Sequence, residues 1–317
     1  MQKRRPTRSS QLVLRIGLVV VLALVLYVVV PQFSGLHGTW QLLAGAQKSL
    51  VGVSLVLLLL TFVAGALNYM LLAFYPLRFV PTLVVQLAGG LAGKLLPAGL
   101  GNLSLSTAYL HRHQHSLPQA AAVAGTNNLL GFVGYLIDLV LAAGFFGLHA
   151  QRAAVPVRLL AIGAAVVIVG GFMAYYLLRK RLASWIKQTL AALRNGLRLY
   201  RRQPWRLVAS LLVCMSMPVL FSAILWCCTR ALGFSLSPIA AFAVFSAGMA
   251  LVTVTPTPGG IGGAEAGLTA ALVVYGYASQ DALLVALLYR FITYWLPMIP
   301  GGFALAFGKK LYLPPRA

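Results

Sequence analysis

Apolar residues in this chain come in long runs rather than at amphipathic spacing. The runs recur between residues 12 and 307, and several exceed the roughly 18 residues that mark a transmembrane helix. They predict six full spans, at about 12–31, 50–74, 118–148, 155–178, 207–231 and 280–307. Two further apolar stretches, 81–110 and 238–277, are broken in the middle. The breaks read Leu96-Pro97-Ala98-Gly99-Leu100-Gly101-Asn102 and Thr255-Pro256-Thr257-Pro258-Gly259-Gly260-Ile261-Gly262-Gly263. Pro and Gly at this density end a helix. Non-helical backbone at membrane depth is tolerated only inside protein or against a wet cavity. Each broken stretch therefore reads as a re-entrant hairpin that dips into the bilayer and returns. The predicted fold is an all-α polytopic membrane protein with six full spans and two hairpins, in a single integral membrane domain over 1–317.

The two hairpins align when the chain is slid on itself by 161 residues. Pro97 then falls on Pro258, Gly99 on Gly260, Gly101 on Gly262 and Gln119 on Gln280. A polar loop and a long span follow each break. An odd number of full spans lies between the hairpins, so they enter from opposite sides. The sequence thus predicts an inverted repeat, with 81–148 as first copy and 242–307 as second. Broken helices in corresponding positions point to a binding site near the bilayer midplane.

Composition excludes soluble, secreted and disordered classes. The chain is 60% hydrophobic and 9% charged, against about 25% charged in soluble domains. Its net charge of +22 comes from 25 Lys and Arg against three acids, Asp138, Glu265 and Asp281. No soluble module is present to bind nucleic acid, so the matching partner is an anionic lipid surface. With the N-terminus in the cytoplasm, nineteen basic residues fall inside and four outside, while Lys94 and Arg290 stay at membrane depth. Both termini are then cytoplasmic. Val28-Val29-Val30-Pro31 offers no small-residue cleavage site, so the basic, apolar start reads as a retained span. Segment 179–206 holds nine basic residues and no acid, with Leu182, Trp185, Ile186, Leu190, Leu193 and Leu197 at helical spacing. It reads as an amphipathic helix on the inner leaflet. Cys214, Cys227 and Cys228 lack metal spacing and read as small apolar residues. His111, His113 and His115 alternate but have no acid or Cys cluster beside them, so they read as solvated interface residues. No metal or cofactor is expected.

The candidate chemistry lies at the breaks. The returning arm of each hairpin starts a helix inside the protein, and helix N-termini are ready anion sites. Asn102, Ser104 and Ser106 follow the first break; Thr255 and Thr257 line the second, with Gly259, Gly260 and Gly262. Lys94 precedes the first break and Arg290 lies in the last span. Together these residues suit a phosphate, although Lys94 also has the length to snorkel to the interface. Glu265 either neutralises Arg290, 25 residues on, or titrates as a proton-coupling group. The same spacing joins Asn102 to Asn127 in the first copy. Asp138 either pairs with Lys94, serves a proton step, or is a satisfied buried acid.

Pro258-Gly259-Gly260-Ile261-Gly262-Gly263-Ala264-Glu265, followed by Arg290 and Trp295-Leu296-Pro297, resembles the transmembrane flippase region of bacterial lysylphosphatidylglycerol synthases and their stand-alone integral membrane relatives. The likeness covers roughly 12–307 and is most specific over 245–300. It implies a lipid translocase fold in the bacterial inner membrane. The substrate it implies is an anionic phospholipid or a polyprenyl-phosphate-linked lipid. Family members often place an acid after the first break and an acid–Arg pair in the next span, where this chain has Asn102 and Asn127-Asn128. These departures bear on the substrate, since the first hairpin's charge is what would meet the headgroup. The chain holds none of the aminoacyl-transferring domain of bifunctional relatives, so transport rather than catalysis is expected. Alternatives are a proton- or ion-coupled carrier of small anions and an assembly factor of a lipid or polysaccharide pathway. A homodimer or a pathway enzyme is the candidate protein partner.

Overall fold

The computed structural model describes residues 45–95, 100–149, 200, 203–254 and 258–308. The spans predicted at 12–31 and 155–178, nearly all of 179–206, the first hairpin tip and Thr257 lie outside the described residues. So does most of the unit Met1–Ala46, and the fold described is that of the unit Gln47–Ala317.

Every described element is helical. α1 (Lys48–Leu72), α2 (Phe79–Leu95), α3 (Leu100–Arg112) and α4 (Leu117–His149) form the first half. The second half runs α5 (Trp205–Ala231), α6 (Pro238–Val254), a 3-10 turn (Pro258–Gly260), α7 (Gly263–Val274) and α8 (Ser279–Arg290). A π-helical turn (Phe291–Trp295) and α9 (Met298–Phe307) complete it. Four stretches are long and apolar enough to cross a membrane: α1, Leu117–Gly144 of α4, α5, and Ser279–Phe307 across α8, the π turn and α9. The protein is a membrane protein. Leu59, Val56, Val140, Leu212, Val219 and Phe303 point outward from these helices, a surface that hydrocarbon accepts and water does not.

The halves share an order of elements: a span, a pair of helices broken by Pro and Gly, then a long helical stretch. In both broken pairs the two arms pack on one another. Glycine makes this contact close. A Cβ on Gly101 would strike the Ala92 carbonyl of the opposite arm, and one on Gly248 would strike the Leu268 backbone. Packing between the halves is reciprocal: α4 lies on α6, α9 lies on α2, and α1 lies on α5.

Loop hydrogen bonds fix the two ends of the bundle. At one end the Gln47 N–H donates to Ala231 O at 2.9 Å. At the other, Arg206 Nη1 donates to Ala73 O at 3.0 Å and the buried Tyr200 hydroxyl donates to Leu72 O. α1 and α5 are therefore antiparallel. The loops on either side of the α2–α3 pair meet at the Ala73 end, where His115 takes the Phe74 N–H. The loops flanking α6–α7 meet at the opposite end, where Tyr277 Oη donates to Ser235 O at 2.8 Å. Each broken pair starts and finishes at one end, and the two pairs use different ends.

His115 departs from the expectation of a solvated residue: it is 2% exposed. Its Nδ1 lies 2.7 Å from the His113 carbonyl, which can only accept, so the proton sits there. Nε2 is then bare and takes the Phe74 N–H at 3.1 Å. The ring staples two loops and must be neutral, because an imidazolium would set a donor against a donor. Burial pushes its pKa below the ordinary histidine value, opposed in part by its backbone hydrogen bonds. A lowered folded value means the stabilisation is complete above the unfolded value and is lost as pH falls through the window below about 6.5. In detergent, acidification from about pH 7.5 to about pH 5 should cost the wild type about 1 kcal/mol more than His115→Gln. Identical melting-temperature slopes for the two proteins would refute the staple.

Candidate functional site

The second break ends in a turn that only glycine serves well. Gly259, Gly260 and Gly262 have φ of 62°, 66° and 85°, in the left-handed region that a side chain strains. At Gly259 a second constraint applies, because the Tyr294 ring occupies the place of a Cβ. The turn delivers Glu265 to the first turn of α7, and its carboxylate folds back on the helix start. Oε2 accepts the Gly262 N–H at 2.7 Å, and Oε1 accepts Arg290 Nε at 2.9 Å. The guanidinium also donates through Nη2 to Gly259 O at 3.2 Å and lies 4.1 Å from the Tyr294 ring centroid. Glu265 and Arg290 are each 6% exposed. The helix N-terminus foreseen as a phosphate site is thus filled by the protein's own carboxylate, and both Glu265 oxygens are committed.

Lys94 meets this assembly from the first half. Its ammonium donates to Tyr294 O at 2.7 Å and to Thr293 O at 3.3 Å, and it stands 4.6 Å from the same Tyr294 ring. The cause is local. Pro297 is four residues after Thr293 and has no N–H to complete an α-helical bond to it. The helix answers with a π turn, in which the Leu296 N–H reaches Phe291 O at 2.9 Å. An orphaned carbonyl at membrane depth needs a donor, and Lys94 supplies it. Two cations therefore face one ring, and the one carboxylate near it is taken by Arg290: Glu265–Arg290 is the ion pair found among the described residues.

In the first half the predicted residues are arranged differently. Asn102 and Asn127 are not bonded to each other, despite sharing the Glu265–Arg290 spacing. Gly89 leaves room on α2 for the Asn102 amide, whose Oδ1 accepts from Ser106 Oγ at 3.2 Å. Asn127 Oδ1 instead accepts from Asn68 Nδ2 at 2.8 Å. Asn68 also takes Ser210 Oγ at 2.6 Å, tying α1, α4 and α5 together. Ser104 is exposed. Asn102, Gln86 and Lys94 line a cavity of about 250 Å³ whose other walls include Leu58, Phe62, Met217 and Phe221. Asp138 is not joined to Lys94. It is 3% exposed, and Oδ2 has no hydrogen-bond partner among the described residues.

Sequence reasoning missed Asn68, Gln86 and Tyr294. Tyr294 had a usable signal, since its spacing of four residues from Arg290 stacks the two on one helix face. Asn68 and Gln86 had none beyond being polar in apolar runs. Among the described residues no three His, Cys, Asp or Glu side chains gather as a metal site requires.

The family model described as "Lysylphosphatidylglycerol synthase TM region" matches residues 14–301. A search of curated proteins finds no match.

The geometry sets the outcome of a mutational cycle. Glu265→Ala strands a buried guanidinium, at a cost of about 3–5 kcal/mol. Arg290→Met added to it should restore much of the loss. Surviving monodisperse protein after a heat challenge, followed by fluorescence-detected size exclusion, reads the effect. A double variant no more stable than Glu265→Ala would show that the pair is not what matters.

Proposed function

The chain belongs to the lysylphosphatidylglycerol synthase transmembrane-region family, and from that footing we propose that it is a lipid translocase. Its substrate in this reading is an anionic phospholipid or a polyprenyl-phosphate-linked lipid. It works in the bacterial inner membrane, with both termini cytoplasmic and without catalysis. One observation carries the proposal. Lys94 is a cation at hairpin depth, held by carbonyls rather than by a carboxylate, in a cavity lined by polar groups and apolar walls together. That combination matches a charged headgroup attached to acyl chains. Backbone carbonyls are weaker partners for an ammonium than a phosphate is, so a headgroup can take Lys94 from them.

We read the two halves as inverted copies. Their broken pairs start and finish at opposite ends of the bundle, and each long stretch packs on the other half's entering arm. Such pairs support alternating access by one half rocking against the other. Lys94 holds the first hairpin to the π turn of the second half, so a headgroup that takes Lys94 also loosens the contact that must move.

Scrambling of fluorescent anionic, zwitterionic and polyprenyl-phosphate lipids in vesicles tests this. Lys94→Gln should slow anionic-lipid scrambling by about tenfold or more while keeping its elution profile, and Lys94→Arg should retain most of the rate. Wild-type rates in Lys94→Gln would overturn the assignment.

A second reading is favoured by Asp138. With Glu265 saturated, the buried acid with an unfilled hydrogen-bond site is Asp138, which suits proton coupling of lipid or small-anion transport. Under a proton gradient, Asp138→Asn should abolish acceleration and leave the gradient-free rate unchanged. Undiminished acceleration in the variant would remove coupling through this residue.

A further inference from the structure

A second, larger cavity lies away from Lys94, between α5 and the start of α6. It has a volume of about 480 Å³, within the usual range for ligand pockets. Its walls are Val219, Ala223 and Trp226 from α5, with Pro238, Ile239 and Phe242 from α6. Ser222 also touches it, but its hydroxyl is spent on the Val219 carbonyl at 2.8 Å. The lining is therefore apolar in effect. Trp226 is a fixed wall, because its Nε1 donates to Leu236 O at 2.9 Å.

Val219, Ala223 and Trp226 succeed one another at helical spacing, and the next position on that face is Arg230. Arg230 is exposed, in the last turn of α5, and no carboxylate of the described residues pairs with it. Trp226 lies one turn before it, and the loop that closes on this end of α5 through the Phe234 N–H to Thr229 O carries Phe234 against Tyr277, in edge contact at 5.8 Å. Trp and Tyr gather at the depth of lipid headgroups. Arg230 then stands at headgroup level, one helical turn past Trp226, and the groove runs on from Trp226 for about 10 Å, the rise of the seven residues back to Val219.

From this geometry we propose that the groove is a docking site for an anionic phospholipid, with an acyl chain between α5 and α6 and its phosphate on Arg230. The occupant follows from charge and shape together. An apolar groove alone accepts any chain, whereas an unpaired guanidinium at its mouth prefers a headgroup with net negative charge. The site does not depend on translocation, and it lies at the end of the bundle opposite Arg206 and His115.

Trp226 is a natural reporter. In nanodiscs, its fluorescence is taken as the difference between wild type and Trp226→Phe, and phosphatidylglycerol or phosphatidylcholine with brominated acyl chains is titrated in. Brominated phosphatidylglycerol should quench the Trp226 component at about a threefold lower mole fraction than brominated phosphatidylcholine. Arg230→Gln, a change at an exposed position, should bring the two curves together. Ala223→Phe should fill the groove and weaken quenching by both, with the melting temperature as a check on folding. Equal quenching in the wild type, or a preference that survives Arg230→Gln, would overturn the proposal. Quenching by neither lipid would also overturn it and assign the groove to protein. Loss of scrambling with this preference intact would count against translocation alone.

Discussion

A charge at membrane depth has no water to turn to, and the second half of this protein is arranged around meeting that constraint at Glu265. One carboxylate closes the start of α7 through the Gly262 N–H and neutralises Arg290 through Oε1. The glycines let the backbone turn tightly enough for Glu265 to face inward. Tyr294, one helical turn past Arg290, covers the guanidinium and fills the space that Gly259 leaves open. Remove the carboxylate and three things fail together: a helix start loses its cap, a buried cation loses its counter-charge, and the glycine turn loses the tie that Arg290 makes to Gly259 O. The pair fixes the architecture here.

The first half is held to that frame by a weaker and more exchangeable bond. Pro297 takes away the donor that Thr293 O would have had, and the ammonium of Lys94 fills in from another hairpin. α9 packs on α2 beside this contact. A break in one helix is thus satisfied by a side chain from the other half, which makes the two halves one mechanical unit while Lys94 stays in place. An ammonium on carbonyls satisfies geometry without neutralising charge, and so remains attractive to an anion.

Much of this frame was legible in the chain. Runs of about 25 apolar residues and dense Pro/Gly breaks have little freedom in a bilayer, so α1, α4 and α5 begin and end within a few residues of the spans predicted at 50–74, 118–148 and 207–231. The Glu265–Arg290 pair was legible as one of two roles for Glu265, beside proton coupling, because a buried acid and a buried Arg have few other ways to be satisfied. The same spacing misled at Asn102 and Asn127. Neutral amides do not compel each other, and Asn68 was nearer to one while the gap at Gly89 received the other. The role of Lys94 was half legible. Its depth could be read, but the carbonyl it serves depends on a proline some two hundred residues away. His115 was misread because nothing local in the alternating histidines says which one turns under the loop of Phe74.

The two halves share an order of elements without sharing its charge. In the second half acid and base cancel within a closed network, so that half presents a saturated surface to anything that enters. In the first half the residue after the break that lines the cavity is a neutral amide, Asn102, and it shares that cavity with a lysine that no carboxylate pairs. A carboxylate there in place of Asn102 would neutralise Lys94 and compete with any phosphate. Its absence leaves a net positive cavity with apolar walls, within reach of a saturated partner half. In the translocase reading we propose, that positive cavity is what would meet an anionic headgroup, and the contact Lys94 makes across the halves is what would have to release.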